Sequence, residues 1–187
     1  MKTNITILSI LLILLFTGCN KDEPKISSAQ ILQAIEEMQG SYSGDMNVSY
    51  YHGERLVKDV PCTMESTDSL ITYIDLEPMA MTIADENIAA VLRGAGIVSV
   101  KAGYEFDQME DGIYCFILHP KDVVIQTTNT SENSIRIAFA KNFGGSISFL
   151  MPEASFTFNL SPSELWVGNK KYDDFKQLVF NCGGLRQ

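Results

Sequence analysis

Two histidines, His52 and His119, are the side chains of this chain whose chemistry suits acid–base work near neutral pH. His52 lies in the turn His52-Gly53-Glu54, and His119 precedes Pro120 at a strand end. No Gly-x-Ser-x-Gly elbow, His-Glu-x-x-His pair or EF-hand loop surrounds either one. Glycoside hydrolysis needs two carboxylates flanking a sugar bond. The adjacent acids here are Glu36-Glu37, Asp85-Glu86, Glu110-Asp111 and Asp173-Asp174. Adjacent acids at helix starts and turns mostly cap or face water, as Asp85-Glu86 and Glu110-Asp111 do. Asp173-Asp174 could bind calcium only together with loop carbonyls, since two acids alone do not make a site. The chain therefore reads as non-enzymatic, with no catalytic residue, no metal and no cofactor.

Aromatic side chains are the better functional signal. Tyr50, Tyr51, Trp166 and Tyr172 are the candidate ligand-facing residues, because such rings join an apolar face to a polar tip. Leu165 and Val167 flank Trp166, so strand alternation turns the indole away from the core. Of the four cysteines, Cys115 sits in the apolar run Ile113-Tyr114-Cys115-Phe116-Ile117 and reads as a buried free thiol. Cys62 and Cys182 are then the candidate disulfide pair.

Apolar spacing shows which elements position these groups. Ser27 or Ser28 caps a helix whose stripe is Ile31, Leu32, Ile35 and Met38, stopped by Gly40. The period then becomes two. Tyr42, Met46, Val48 and Tyr50 alternate with polar residues and pair with the next segment as a hairpin. After Pro78, Asp85 caps a short helix with the face Ile88, Val91 and Leu92. Strands resume at Ile97 and continue to the end. The expectation is a mainly β fold: an antiparallel β-sandwich or barrel of about nine or ten strands, with an N-terminal helix and one short inserted helix. Residues 27–187 form this single domain. The net charge of −9 argues against nucleic acid as a partner.

Residues 1–18 carry the address. Lys2 precedes the apolar run Ile5 to Phe16, too short to span a bilayer, and Thr17-Gly18-Cys19 follows. Phe16-Thr17-Gly18-Cys19 resembles a bacterial lipobox. That resemblance implies cleavage before Cys19, lipidation of its thiol and a membrane anchor, with residues 19–26 as a lipidated linker. Asn20-Lys21-Asp22-Glu23 resembles the charged tag that sends Bacteroidetes lipoproteins to the cell surface. The expected location is the outer membrane, facing outward, with its periplasmic leaflet as the alternative.

Lipobox, tag, helix and then Gly40-Ser41-Tyr42-Ser43-Gly44 opening a β-meander together resemble small Bacteroidetes lipoproteins. The Gly-x-Tyr-x-Gly start is also similar to the first strand of lipocalin-like barrels. Lipocalins place a tryptophan near that start, whereas the one tryptophan here is Trp166, so no binding residues carry over. Asp68-Ser69-Leu70 resembles the acceptor for O-glycosylation in exported Bacteroidetes proteins, which makes Ser69 a candidate modification site. The functional expectation is a ligand-binding module for an apolar small molecule, a glycan or a protein. A structural subunit of a surface complex is the alternative, and a glycan hydrolase the third reading.

Overall fold

The structure, a computed structural model, describes residues 26–50, 53–64, 69–127, 134–141 and 143–187, without the side chains of 54–59 and 64. Cys19, Tyr51, His52 and Asp68 lie outside the described residues.

Among the described residues three helices and twelve strands follow one another along the chain. Helix α1 (Ser28–Met38) leads into β1 (Gly40–Tyr50), β2 (Gly53–Met64) and β3 (Ser69–Asp75). Two helices, α2 (Glu77–Ala80) and α3 (Glu86–Ala95), precede the long β4 (Ile97–Glu110) and β5 (Ile113–Pro120). Then come β6 (Val123–Gln126), β7 (Ser134–Phe139), β8 (Gly144–Ser148) and β9 (Ser155–Leu160). The chain ends with β10 (Pro162–Val167), β11 (Lys170–Tyr172) and β12 (Val179–Arg186).

Eight strands close into an antiparallel barrel in the order β1-β12-β9-β8-β5-β4-β3-β2. Of the two architectures the sequence left open, this is the barrel. It is a meander whose consecutive strands neighbour one another wherever the chain does not leave the wall. The excursions form α2–α3 and a second sheet of order β11-β10-β7-β6.

Interior positions hold large side chains. Tyr42, Met46, Phe116, Phe158 and Phe180 are all essentially inaccessible, as expected of an eight-stranded barrel, whose lumen is about filled by side chains. Tyr42 meets Phe156 edge-on at 5.4 Å, and Phe156 stacks on Phe158 at 5.5 Å. Closure bends the wall where Gly44 and Gly184 face each other across β1 and β12. A Cβ on Gly184 would stand 2.2 Å from the Ser43 carbonyl oxygen, so only glycine fits.

Strand direction defines two ends. Helix α1 lies at the end where β1 starts and where the β4–β5 turn, Asp111-Gly112, and the β8–β9 loop sit. Gly112 takes a φ of 76°, which suits glycine in so tight a turn. Ser27 and Gln30 form the capping box of α1. Ala34 and Met38 bury their side chains and Ile35 packs beside them. Leu32, expected within the stripe, instead points outward at 63% exposure. It lies 200° around the helix from Ala34, since each residue turns the helix by 100°. The Tyr42 hydroxyl donates to the Met38 carbonyl, and Arg186 donates to the carbonyls of Glu37 and Gln39. These bonds seat the helix over the barrel mouth.

The opposite end carries α2, α3 and the second sheet. Asp85 caps α3 by accepting from the N–H groups of Asn87 and Ile88. The helix runs through Gly94 to Ala95, and Gly96 ends it. Met79, Leu92, Ile135, Ile137 and Leu165 join the barrel interior in one continuous core.

Candidate ligand-binding face

The outer face of the second sheet is built by strand alternation. In β10, Leu165 is fully buried, while Glu164 and Trp166 project to the other side. Trp166 is the cross-strand partner of Lys171 on β11 and of Arg136 on β7. Arg136 in turn faces Val124 on β6. Lys171, Trp166, Arg136 and Val124 thus form one line across all four strands.

Polar contacts fix that line. The Trp166 indole N–H donates to one carboxylate oxygen of Glu164 at 2.9 Å. The Lys171 ammonium donates to the other, also at 2.9 Å. The Arg136 guanidinium lies over the Trp166 ring, 4.7 Å from its centroid, and bonds Asp122 at 2.7 Å. Lys171 and then Trp166 hold the Glu164 carboxyl below the usual carboxylate range. Glu164 raises the Lys171 ammonium in return. Both groups are therefore charged at neutral pH. Beside the line, between β4 and β6, runs an open groove of about 460 Å³ lined by Ser99, Lys101, Lys121, Asp122 and Val124 among others. Asp122 and Val124 belong to both features.

The other expected site residues lie elsewhere. Tyr172 faces the core side: it pairs with buried Leu165, and its hydroxyl accepts from the Asp85 N–H at 3.4 Å. Tyr50 packs against the core with its hydroxyl 3.9 Å from the Met81 sulfur. The aromatics expected to share a surface are therefore not brought together, because alternation sends Trp166 and Tyr172 to opposite faces. His119 is exposed at the end of β5, 3.5 Å from Glu105.

Cys62 and Cys182 are not paired: both are buried free thiols. Cys62 faces Tyr42 on one side of β1, and Cys182 faces Met46 on the other. With a strand between them they stand about 9.5 Å apart laterally, beyond the roughly 7 Å a disulfide tolerates. Burial pushes the Cys62 thiol up to about 12 and raises Cys182 as well. Cys115 is also free, but half-buried where full burial was expected. Ser69 is not in an open turn. It opens β3 at 6% exposure, so the folded chain withholds its hydroxyl from a modifying enzyme.

The acid pairs do not converge. Asp85 is occupied as a helix cap, and Glu110-Asp111 sit at the opposite end of the barrel. Glu37 accepts from the Tyr114 hydroxyl and from Gln33, contacts that hold its carboxyl below the usual value. Tyr114 is raised to about 12, first by the bond to Glu37 and then by burial. Among the described residues no three His, Cys, Asp or Glu side chains are grouped to hold a metal ion.

Residues 37–167 match a family model described as a domain of unknown function, DUF4840. That is more than half of the chain. The chain belongs to this family. The DUF4840 match takes in Trp166, Arg136, Glu164 and the groove, and stops before Lys171 and before β12, the strand that completes the barrel. No curated protein and no solved structure matches the chain.

Sequence reasoning found Trp166 and missed its partners. Arg136 was legible only as a polar position in Ser134-Ile135-Arg136-Ile137, and Glu164 only as the i−2 neighbour of the tryptophan. Their convergence depends on β7 pairing with β10, a long-range choice that local pattern does not encode.

Proposed function

We propose that this chain is a non-enzymatic lipoprotein of the cell envelope that binds a glycan on the outer face of its four-stranded sheet. One observation carries the reading. An outward indole is held among a guanidinium, an ammonium and a carboxylate, next to an open groove lined by both polar and apolar side chains. A sugar offers apolar C–H faces to a ring and hydroxyls to charged donors and acceptors, so this mixture suits it. An apolar small molecule suits the protein less well, because the described interior positions are filled by Phe116, Phe158, Phe180 and Tyr42.

The lipid anchor rests on Phe16-Thr17-Gly18-Cys19, and outward exposure on Asn20-Lys21-Asp22-Glu23. Helix α1 continues from the linker at one end of the barrel, whereas the Trp166 face lies at the other, away from the attachment point. The alternative, a subunit of a surface complex, would dock through the exposed part of α1 or through a sheet edge, and two features argue against it. Ala34, Ile35 and Met38 are packed on the barrel, and the β11 edge presents Lys170 and Lys171, charges that discourage added strands.

The test is a panel of immobilised neutral and acidic oligosaccharides probed with the chain lacking residues 1–18 and carrying Cys19→Ser. Retention on one saccharide class, lost in Trp166→Ala, is expected. No retention, or equal retention by the variant, overturns the reading. A mass spectrum of the protein extracted from membranes tests the anchor separately, through diacylglycerol on Cys19.

A further inference from the structure

The two most exposed large apolar side chains among the described residues are neighbours in sequence: Leu150 at 65% and Met151 at 67%. They stand in the β8–β9 loop, at the same end of the barrel as α1. Leu150 lies against Gly112 of the β4–β5 turn. Gly112 lines a small groove together with Gln30 and Gln33 of α1. The first turn of α1 and the Leu150-Met151 tip are therefore parts of one local surface. The linker from Cys19 enters α1 at Ser27. Eight residues reach at most about 28 Å when fully extended, so a lipidated Cys19 would keep this end close to the bilayer.

We infer that Leu150 and Met151 rest in the lipid surface and fix the orientation of the anchored protein, an inference that builds on the anchor reading above. The partner is the acyl–headgroup boundary of a bilayer, entered without help from anionic headgroups. Glu110, Asp111 and Glu153 surround the tip and would be repelled by negative lipid. Two side chains are too few to hold a soluble protein on a membrane. A short tether supplies the missing effective concentration, so the contact forms only in the anchored state. The consequence is a molecule standing on its α1 end with the Trp166 face presented outward.

The test tethers the chain from Cys19 to vesicles of phosphatidylcholine containing a small fraction of maleimide lipid, with Cys115→Ser to leave one reactive thiol. Chemical coupling makes the result independent of whether cells lipidate Cys19, which the mass spectrum above decides. With brominated lipid in the vesicles, the indole introduced by Met151→Trp in a Trp166→Phe background is expected to be quenched at least twofold, and Trp166 of the parent chain to be unaffected. Adding Leu150→Asp should abolish most of that quenching, while unchanged near-ultraviolet circular dichroism certifies the fold. No quenching at position 151 overturns the inference. So does quenching of Trp166 in the otherwise unchanged chain, which would lay the sheet on the membrane.

Discussion

Arg136 and Trp166 are cross-strand partners, and the guanidinium carbon stands 4.7 Å from the centre of the indole ring. A cation over a partly exposed ring contributes about 0.5–1 kcal/mol. The contact, together with the bond to Asp122, holds the part-exposed guanidinium on the outer face of the sheet. Arg136→Ala should lower stability by about that amount in urea unfolding and shift the emission of Trp166. It should weaken glycan binding about tenfold, which corresponds to about 1.4 kcal/mol. Arg136→Lys keeps the charge but loses the planar guanidinium with its several fixed donors, so it should restore little of the affinity. Full affinity in Arg136→Ala would remove this residue from the site.

The Tyr114–Glu37 bond ties α1 to the barrel wall and predicts a two-sided pH dependence. Tyr114, and next Gln33, lower the Glu37 carboxyl below its usual 4.5. On acidification the unfolded chain takes up this proton first, so the contribution is present above 4.5 and lost as pH falls through the folded value. Tyr114 is raised from 10.0 to about 12. Its contribution is present below 10 and is lost as pH rises toward 12. Tyr114→Phe should cost about 1 kcal/mol at neutral pH, because solvent screens this part-exposed bond to a charged group. It should also flatten both limbs of a stability–pH curve measured by urea melts. Unchanged limbs in the variant would assign the dependence to other groups.

Neighbouring glycines in β12 should respond oppositely to a side chain. A Cβ on Gly184 would meet the Ser43 carbonyl oxygen at 2.2 Å, whereas one on Gly183 has its nearest neighbour, the Thr157 methyl group, at 3.6 Å. Gly184→Ala should destabilise by about 3 kcal/mol or more, at or beyond the upper range for overpacking, because backbone and not a side chain must give way. Gly183→Ala should stay within about 1 kcal/mol of the parent chain. Thermal melts of the two variants compare them directly.

The thiols make a simple accessibility test. Burial pushes Cys62 up to about 12 and raises Cys182, so neither supplies thiolate at neutral pH. In the chain with Cys19→Ser, Ellman's reagent should reach half-buried Cys115 first. Cys62 and Cys182 should react only on unfolding, with no reductant needed. A requirement for reductant would show that the two are bridged and that β1 does not separate them as described.

Much of the scaffold was legible because its signals are local. Ser27 with Gln30, Asp85 before Ile88, and Asp111-Gly112 between two apolar runs each set a boundary by short-range hydrogen bonding or backbone geometry. Alternation also put Tyr42, Met46 and Val48 on one face, and all three are buried. What escaped depends on partners far along the chain. Leu32 fits an apolar spacing but faces water, because Ala34 and Met38 meet the barrel. Ser69 looks like a turn residue until β3 pairs it with Gly103 of β4. The separation of Cys62 from Cys182 by β1, and the meeting of Arg136 with Trp166, follow from strand order alone.

The most direct test of glycan binding on this face uses Trp166 itself, the one tryptophan in the chain. An oligosaccharide retained on the panel would be titrated into the protein while indole emission and binding heat are recorded together. A saturable change in emission that tracks the heat with one dissociation constant is the expected result. Saturating heat with the emission of Trp166 unchanged would contradict the placement and send the search to another surface of the barrel.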